Sequence, residues 1–125
     1  MEADQLASLV RAGKKRPLWT PGPETRQVSL GQDAVHRLLP HRDPFLFVEG
    51  ITAIDLKVPA IAGKRRIDAA DPIFAGHFPG APIYPGVLQI ETMGQLGICL
   101  AHFAARGTHE VAKDATPAAD PDLPD

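Results

Sequence analysis

Cysteine is nearly absent from this chain of 125 residues: Cys99 stands alone, which excludes an internal disulfide and fits a reducing compartment. Neither sign of charge is in excess. Against 15 Asp and Glu stand 13 Lys and Arg, for a formal net charge of -2 and a pI near 6.2, which leaves no basic footprint for nucleic acid. A long unbroken apolar run is missing too. The best candidate comes late and is interrupted by Gln89, Glu91 and Gln95, so it suits neither a signal peptide nor a membrane span. What remains is an ordinary soluble composition, 44% hydrophobic and 22% charged, of single-domain size with room for a modest core. A cytoplasmic location is the default.

Proline is the exception to this plainness, with 13 residues gathered in clusters that mark the organisation. Residues 1–28 read as a flexible leader. Within it 4–11 can form a short amphipathic helix carrying Leu6, Leu9 and Val10 on one side, stopped by Lys14-Lys15-Arg16 and the prolines that follow. The spacing of Ala34, Val35, Leu38 and Leu39 predicts a short helix over 29–39, ended by Pro40. Aromatic and branched residues predict a strand over 45–54. A second, more polar strand follows over 61–67, the two forming a hairpin around 55–59. Residues 71–86 are loop, stiffened by Pro72, Pro79, Pro82 and Pro85. A long helix over 87–105 then carries apolar residues on nearly its whole circumference, the pattern of a buried helix.

Such a helix needs a sheet around it, and the sequence after Gly107 offers no strand. Residues 113–125 are mostly Ala, Pro and Asp, with Leu123 as the sizeable apolar side chain, an acidic loop or tail. The expectation is an α+β domain whose first portion, 29–112, is present and which is either incomplete at its C-terminal end or takes its later strands from elsewhere.

The chemistry concentrates between Asp71 and Gln95. His77 lies among Gly76, Pro79 and Gly80, a backbone that restricts motion and allows close approach; it is either a solvated turn histidine or a preorganised base. Glu91 is surrounded by Val87, Leu88, Ile90 and Met93, so its carboxyl is expected to face a partly apolar cavity that favours the protonated form. Gln95, one helical turn on, can hold it or merely anchor the helix with it. Gly86 opens the long helix, where amides without internal partners and the helix dipole can polarise an acyl carbonyl.

Several motifs recur in order: Leu39-Pro40-His41-Arg42, Pro44-Phe45-Leu46-Phe47-Val48, Gly76-His77-Phe78-Pro79-Gly80, Pro85-Gly86-Val87-Leu88, then Glu91, Met93 and Gln95. Together, over about 32–104, they resemble the 3-hydroxyacyl-[acyl-carrier-protein] dehydratases of type II fatty acid synthesis. Glutamate rather than aspartate at position 91 points to the FabZ branch over FabA. The resemblance implies a hot-dog fold, an antiparallel sheet curled round a long central helix. It also implies a homodimer, in which His77 of one subunit faces the glutamate of the other, with dimers assembling into hexamers. His77 would remove the C2 proton, Glu91 would assist loss of the C3 hydroxyl as water, Gly86 would polarise the thioester carbonyl, and Gln95 would orient Glu91. Phe78, Tyr84 and Val87 are candidates to line the acyl tunnel. The implied partner is acyl carrier protein bearing a 3-hydroxyacyl chain, with no metal, cofactor, membrane or nucleic acid involved.

This chain departs from the pattern at Asp43 and Tyr84, where an aromatic residue and a methionine are common, and in its longer leader. These departures leave a polyketide or specialised lipid substrate open, and the missing strands leave open a non-catalytic chain that binds acyl groups or a partner subunit. Lys64-Arg65-Arg66 is either a solvated strand face or a basic edge for the acidic carrier. His41 and Arg42 read as structural residues of their loop, or as marginal to the docking surface, rather than as catalytic.

Overall fold

The computed structural model describes residues 2–17 and 19–106. Along the chain run α1 (Ala3–Gly13), β1 (Arg26–Leu30), α2 (Gln32–Leu38), β2 (Gly50–Asp55), β3 (Ala60–Lys64) and α3 (Gly86–Arg106), with a short 3-10 turn at Pro72–Ala75 before α3. The three strands form one antiparallel sheet in the order β1-β2-β3. The acidic tail expected over 113–125 lies outside the described residues.

The β2–β3 hairpin is set by one side chain. Asp55 accepts hydrogen bonds from the amides of Lys57 (2.9 Å) and Val58 (3.0 Å), which folds the turn, and from the Thr25 hydroxyl (2.9 Å), which ties the approach to β1 onto the end of β2. The Val58 amide, with smaller help from Thr25 and Lys57, holds this carboxyl below the usual carboxylate range against the opposing effect of burial. Pairing then runs from Asp55↔Ala60 through Ile54↔Ile61 to Gly50↔Lys64, with an irregularity between Ile51 and Ala53. At Gly63 the sheet meets α3 closely: an added Cβ would lie 2.8 Å from the Gly50 carbonyl oxygen and 2.9 Å from Leu96 Cδ1.

The core gathers Leu30, Ala34, Val35, Leu39, Leu46, Val48, Ile51 and Ile54 against Cys99 and Phe103 of α3. Cys99 is a packing residue whose thiol is pushed up to about 11 by burial.

Three expectations need correction. Residues 29–39 are not one helix: Ser29 and Leu30 end β1, which takes up the close of the supposed leader, and α2 begins at Gln32. Pairing with β2 holds the start of this segment in the sheet. The strand expected over 45–54 joins the sheet only from Glu49, whose amide donates to Lys64 O (3.0 Å), because glutamine side chains serve the backbone before it. Gln32 donates to the carbonyls of Val48 and Glu49, and Gln95 bonds Phe45 and Phe47. Finally, α3 is not enclosed all round. Its buried side chains are Gln95, Cys99 and Phe103, a single stripe four residues apart, while Val87 (72% exposed), Ile90, Met93 and Ile98 face outward.

Candidate active site

His77 stands on a loop closed by its own hydrogen bonds. The His77 amide donates to Ile73 O (3.1 Å), the Ile83 amide donates to His77 O (3.1 Å), and Phe78 and Ala81 exchange bonds in both directions across Pro79 and Gly80. Gly80 has φ 73°, a left-handed conformation that suits glycine, and the His77–Phe78 peptide is cis. The imidazole stacks on Phe78 with ring centroids 4.2 Å apart. Its Nδ1 lies 2.7 Å from the Ile83 carbonyl oxygen. A carbonyl only accepts, so Nδ1 carries the hydrogen, and the neutral ring keeps its lone pair on Nε2. That is the form of a base.

Glu91 is held rather than enclosed, with its side chain 37% exposed. The cavity expected around it is therefore replaced by a polar grip. Gln95, almost fully buried, accepts from the Phe47 amide through Oε1 (2.9 Å) and donates through Nε2 to Phe45 O (3.0 Å) and to Glu91 Oε1 (3.2 Å). The Phe47 N–H dictates which way the amide faces, so the nitrogen is directed at the carboxylate. From the loop after α2, His41 Nε2 comes to 3.8 Å from the same Oε1.

Gly86 opens α3 with free space in front of it: an added Cβ would meet nothing within 4 Å. The amides of Leu88 and Gln89 turn back to Pro85 O, and those of Gly86 and Val87 precede that ladder. Tyr84 packs its ring 6.2 Å from Phe74 with its hydroxyl buried and unpartnered, whereas Phe78 and Val87 are exposed.

The chain thus brings Glu91, Gln95 and His41 together and holds His77 on a separate loop. His77 bonds Ile83 and Glu91 bonds Gln95, and among the described residues no hydrogen bond or ion pair joins the two. A groove of about 220 Å³ between β3 and α3 is lined by Val48, Gly63, Lys64, Arg65, Thr92, Met93 and Leu96, without either residue. Of the basic run, Arg65 is engaged within the chain, 5.3 Å over the Phe47 ring and 3.6 Å from Glu49, rather than presented as a free edge. Arg42 behaves as a loop residue, its guanidinium donating to the carbonyls of His36 and Leu39 at the end of α2 and of His41 in the loop after it. His41 exceeds its expected structural part by reaching Glu91. Among the described residues no group of three or more His, Cys, Asp and Glu is gathered as a metal-binding set, and no helix is long and apolar enough to cross a membrane.

Known proteins resemble this chain over the stretch that carries these residues. Residues 39–119 match the family described as FabA-like domain. Among curated relatives, a 3-hydroxyacyl-[acyl-carrier-protein] dehydratase FabZ of Chlamydia trachomatis is 46% identical over 76 residues, covering 57% of this chain and 50% of that protein. Proteins of the same name are 45% identical in Aliarcobacter butzleri, covering 64% of this chain and 54% of the relative, and 49% identical in Campylobacter jejuni, covering 54% and 45%. The chain spans about half the length of the curated relatives it matches. With the three-stranded antiparallel sheet, the long helix against it and a family match over most of its length, the chain belongs to the FabA-like family and carries part of its α+β hot-dog fold.

Proposed function

We propose that the protein dehydrates (3R)-3-hydroxyacyl chains carried on acyl carrier protein to trans-2-enoyl products, as a cytoplasmic hydro-lyase of fatty acid synthesis. The observation that carries this reading is the tautomer of His77: with Nδ1–H committed to Ile83 O, the Nε2 lone pair is available to a substrate. His77 Nε2 takes the C2 proton, the C2–H electron pair forms the C2–C3 double bond, and the C3–O bond breaks. Protonated Glu91 supplies the proton with which the hydroxyl leaves as water, directly or through a water molecule. Proton return from His77 to the carboxylate by way of solvent resets the site. The Gly86 amide at the open start of α3 stabilises charge on the thioester oxygen, and Gln95 fixes Glu91. Phe78, Tyr84 and Val87 line the acyl path.

The separation of His77 from Glu91 within one chain supports a homodimer in which His77 serves the partner subunit's Glu91, and dimers can stack into hexamers. The exposed apolar residues of α3 favour a second reading, in which the chain acts chiefly as a subunit that another polypeptide must cover.

One experiment separates them. The protein expressed from its full reading frame is assayed for hydration of crotonyl thioesters and sized by gel filtration. The dehydratase reading expects an active oligomer that loses activity in both His77→Ala and Glu91→Gln. An active protein whose two variants retain near wild-type rates would refute the assignment. An inactive, folded oligomer would favour the subunit reading.

A further inference from the structure

We infer that His41 is a positioning residue for Glu91, presenting an Nε2–H to carboxylate oxygen Oε1 so that the acid proton is confined to Oε2. The inference rests on the proposed role of Glu91 as the acid.

Two contacts converge on one oxygen. Gln95 Nε2 donates to Glu91 Oε1 at 3.2 Å, and His41 Nε2 faces the same atom at 3.8 Å. Neither contact uses Oε2. The His41 distance exceeds a hydrogen bond, and catalytic bonds commonly close from such lengths when substrate is bound. Glu91 has room to make that movement, since its side chain is partly exposed while Gln95 is fixed by two backbone groups.

The protonation of His41 follows from its other nitrogen. Nδ1 is buried with no hydrogen-bond partner. A hydrogen placed there would be an orphaned buried donor, which proteins avoid more strictly than an under-used acceptor. The neutral ring therefore carries its hydrogen on Nε2, toward Glu91. The stack on Phe45, with centroids 6.5 Å apart and planes 21° apart, keeps the ring in that attitude. The chain then holds two histidines in opposite tautomers: His77 with Nδ1–H bonded and Nε2 bare, His41 with Nε2–H directed at the acid and Nδ1 bare. One accepts a proton, and the other donates a hydrogen bond without releasing its hydrogen. With Oε1 served by two donors, a proton on the carboxyl resides on Oε2, the oxygen left for the departing hydroxyl.

The test uses the protein from its full reading frame. Nitrogen-15 NMR of the imidazoles reports each tautomer without any need for activity. His41 is expected as Nε2–H and His77 as Nδ1–H, and the His41 resonances should move in Glu91→Gln. Finding His41 as Nδ1–H, or unmoved in that variant, would overturn the inference even if the dehydratase reading stands. Kinetics supply the second readout. His41→Gln keeps an N–H near the Nε2 position and should retain kcat within about threefold, whereas His41→Phe keeps the flat ring without the donor. The latter should lower kcat about tenfold to a hundredfold at unchanged KM, the scale of a misplaced catalytic group. Equal impairment of both variants, with folding verified by circular dichroism, would make His41 a packing residue and refute the proposal. Loss of the dehydratase reading is detected separately, by wild-type rates in His77→Ala and Glu91→Gln.

Discussion

Replacing Gln95 tests the grip on Glu91 and the stability of the fold together. In Gln95→Leu the buried Phe47 N–H loses its acceptor at 2.9 Å, and an orphaned buried donor costs about 1–3 kcal/mol. The Phe45 carbonyl also loses its donor, but Phe45 is half-exposed and water can take over, so that loss adds little. Leucine brings apolar contact against the core that offsets about 1 kcal/mol. The net expectation is a loss of about 1–2 kcal/mol. Gln95→Glu behaves differently. It keeps the acceptor for Phe47 but turns both donors into acceptors facing the Phe45 carbonyl and Glu91 Oε1. An uncompensated buried charge costs about 3–5 kcal/mol unless the group takes up a proton. Urea unfolding followed by circular dichroism should therefore rank wild type above Gln95→Leu above Gln95→Glu at neutral pH. The gap between the two variants should narrow as the pH falls. A glutamate variant as stable as the leucine one at neutral pH would show that donation from Nε2 is not what the fold requires there, and the account of how Glu91 is held would fail with it.

Two further outcomes are expected. Gly63→Ala should destabilise by about 1–3 kcal/mol, because its Cβ would press on the Gly50 carbonyl and Leu96, and an unchanged urea midpoint would contradict that close approach. Asp55 is held below its ordinary value of 3.8, so the unfolded chain takes up the proton first on acidification. The stability this carboxylate contributes is thus present at neutral pH and lost as pH falls from about 4 through the folded value. Urea midpoints of Asp55→Asn and wild type should converge at that acid end, and a gap that stays constant with pH would refute the linkage.

The elements that were readable share a property: their signals are local. The hairpin of β2 and β3, the proline-stiffened loop around His77 and the long helix after Gly86 all follow from patterns within about twenty residues. So did the family motifs. Other features rest on partners far along the chain. Segment 45–48 stays outside the sheet because Gln95 and Gln32, 48 and 16 residues away, serve its backbone. β1 is five residues long behind a Pro- and Gly-rich stretch, and its last residues fall within a helix-spaced segment until pairing with β2 decides otherwise. His41 lies beside Arg42, and nothing in its own neighbourhood signals a carboxylate on α3. The apolar circumference of α3 was legible as a need for cover, but which stripe is covered depends on tertiary contact.

The bond from His77 Nδ1 to the Ile83 carbonyl separates two kinds of heritable change. The acceptor is main chain, so any residue at position 83 that keeps the loop's path leaves the histidine in the same tautomer. The Ile83 side chain itself is exposed and takes no part in that contact. On the proposed function, substitution there alters the exposed surface of the loop while the proton chemistry stays untouched. Surface shape and basicity then vary independently within one short loop, so the side chain at position 83 is free to change without disturbing the base.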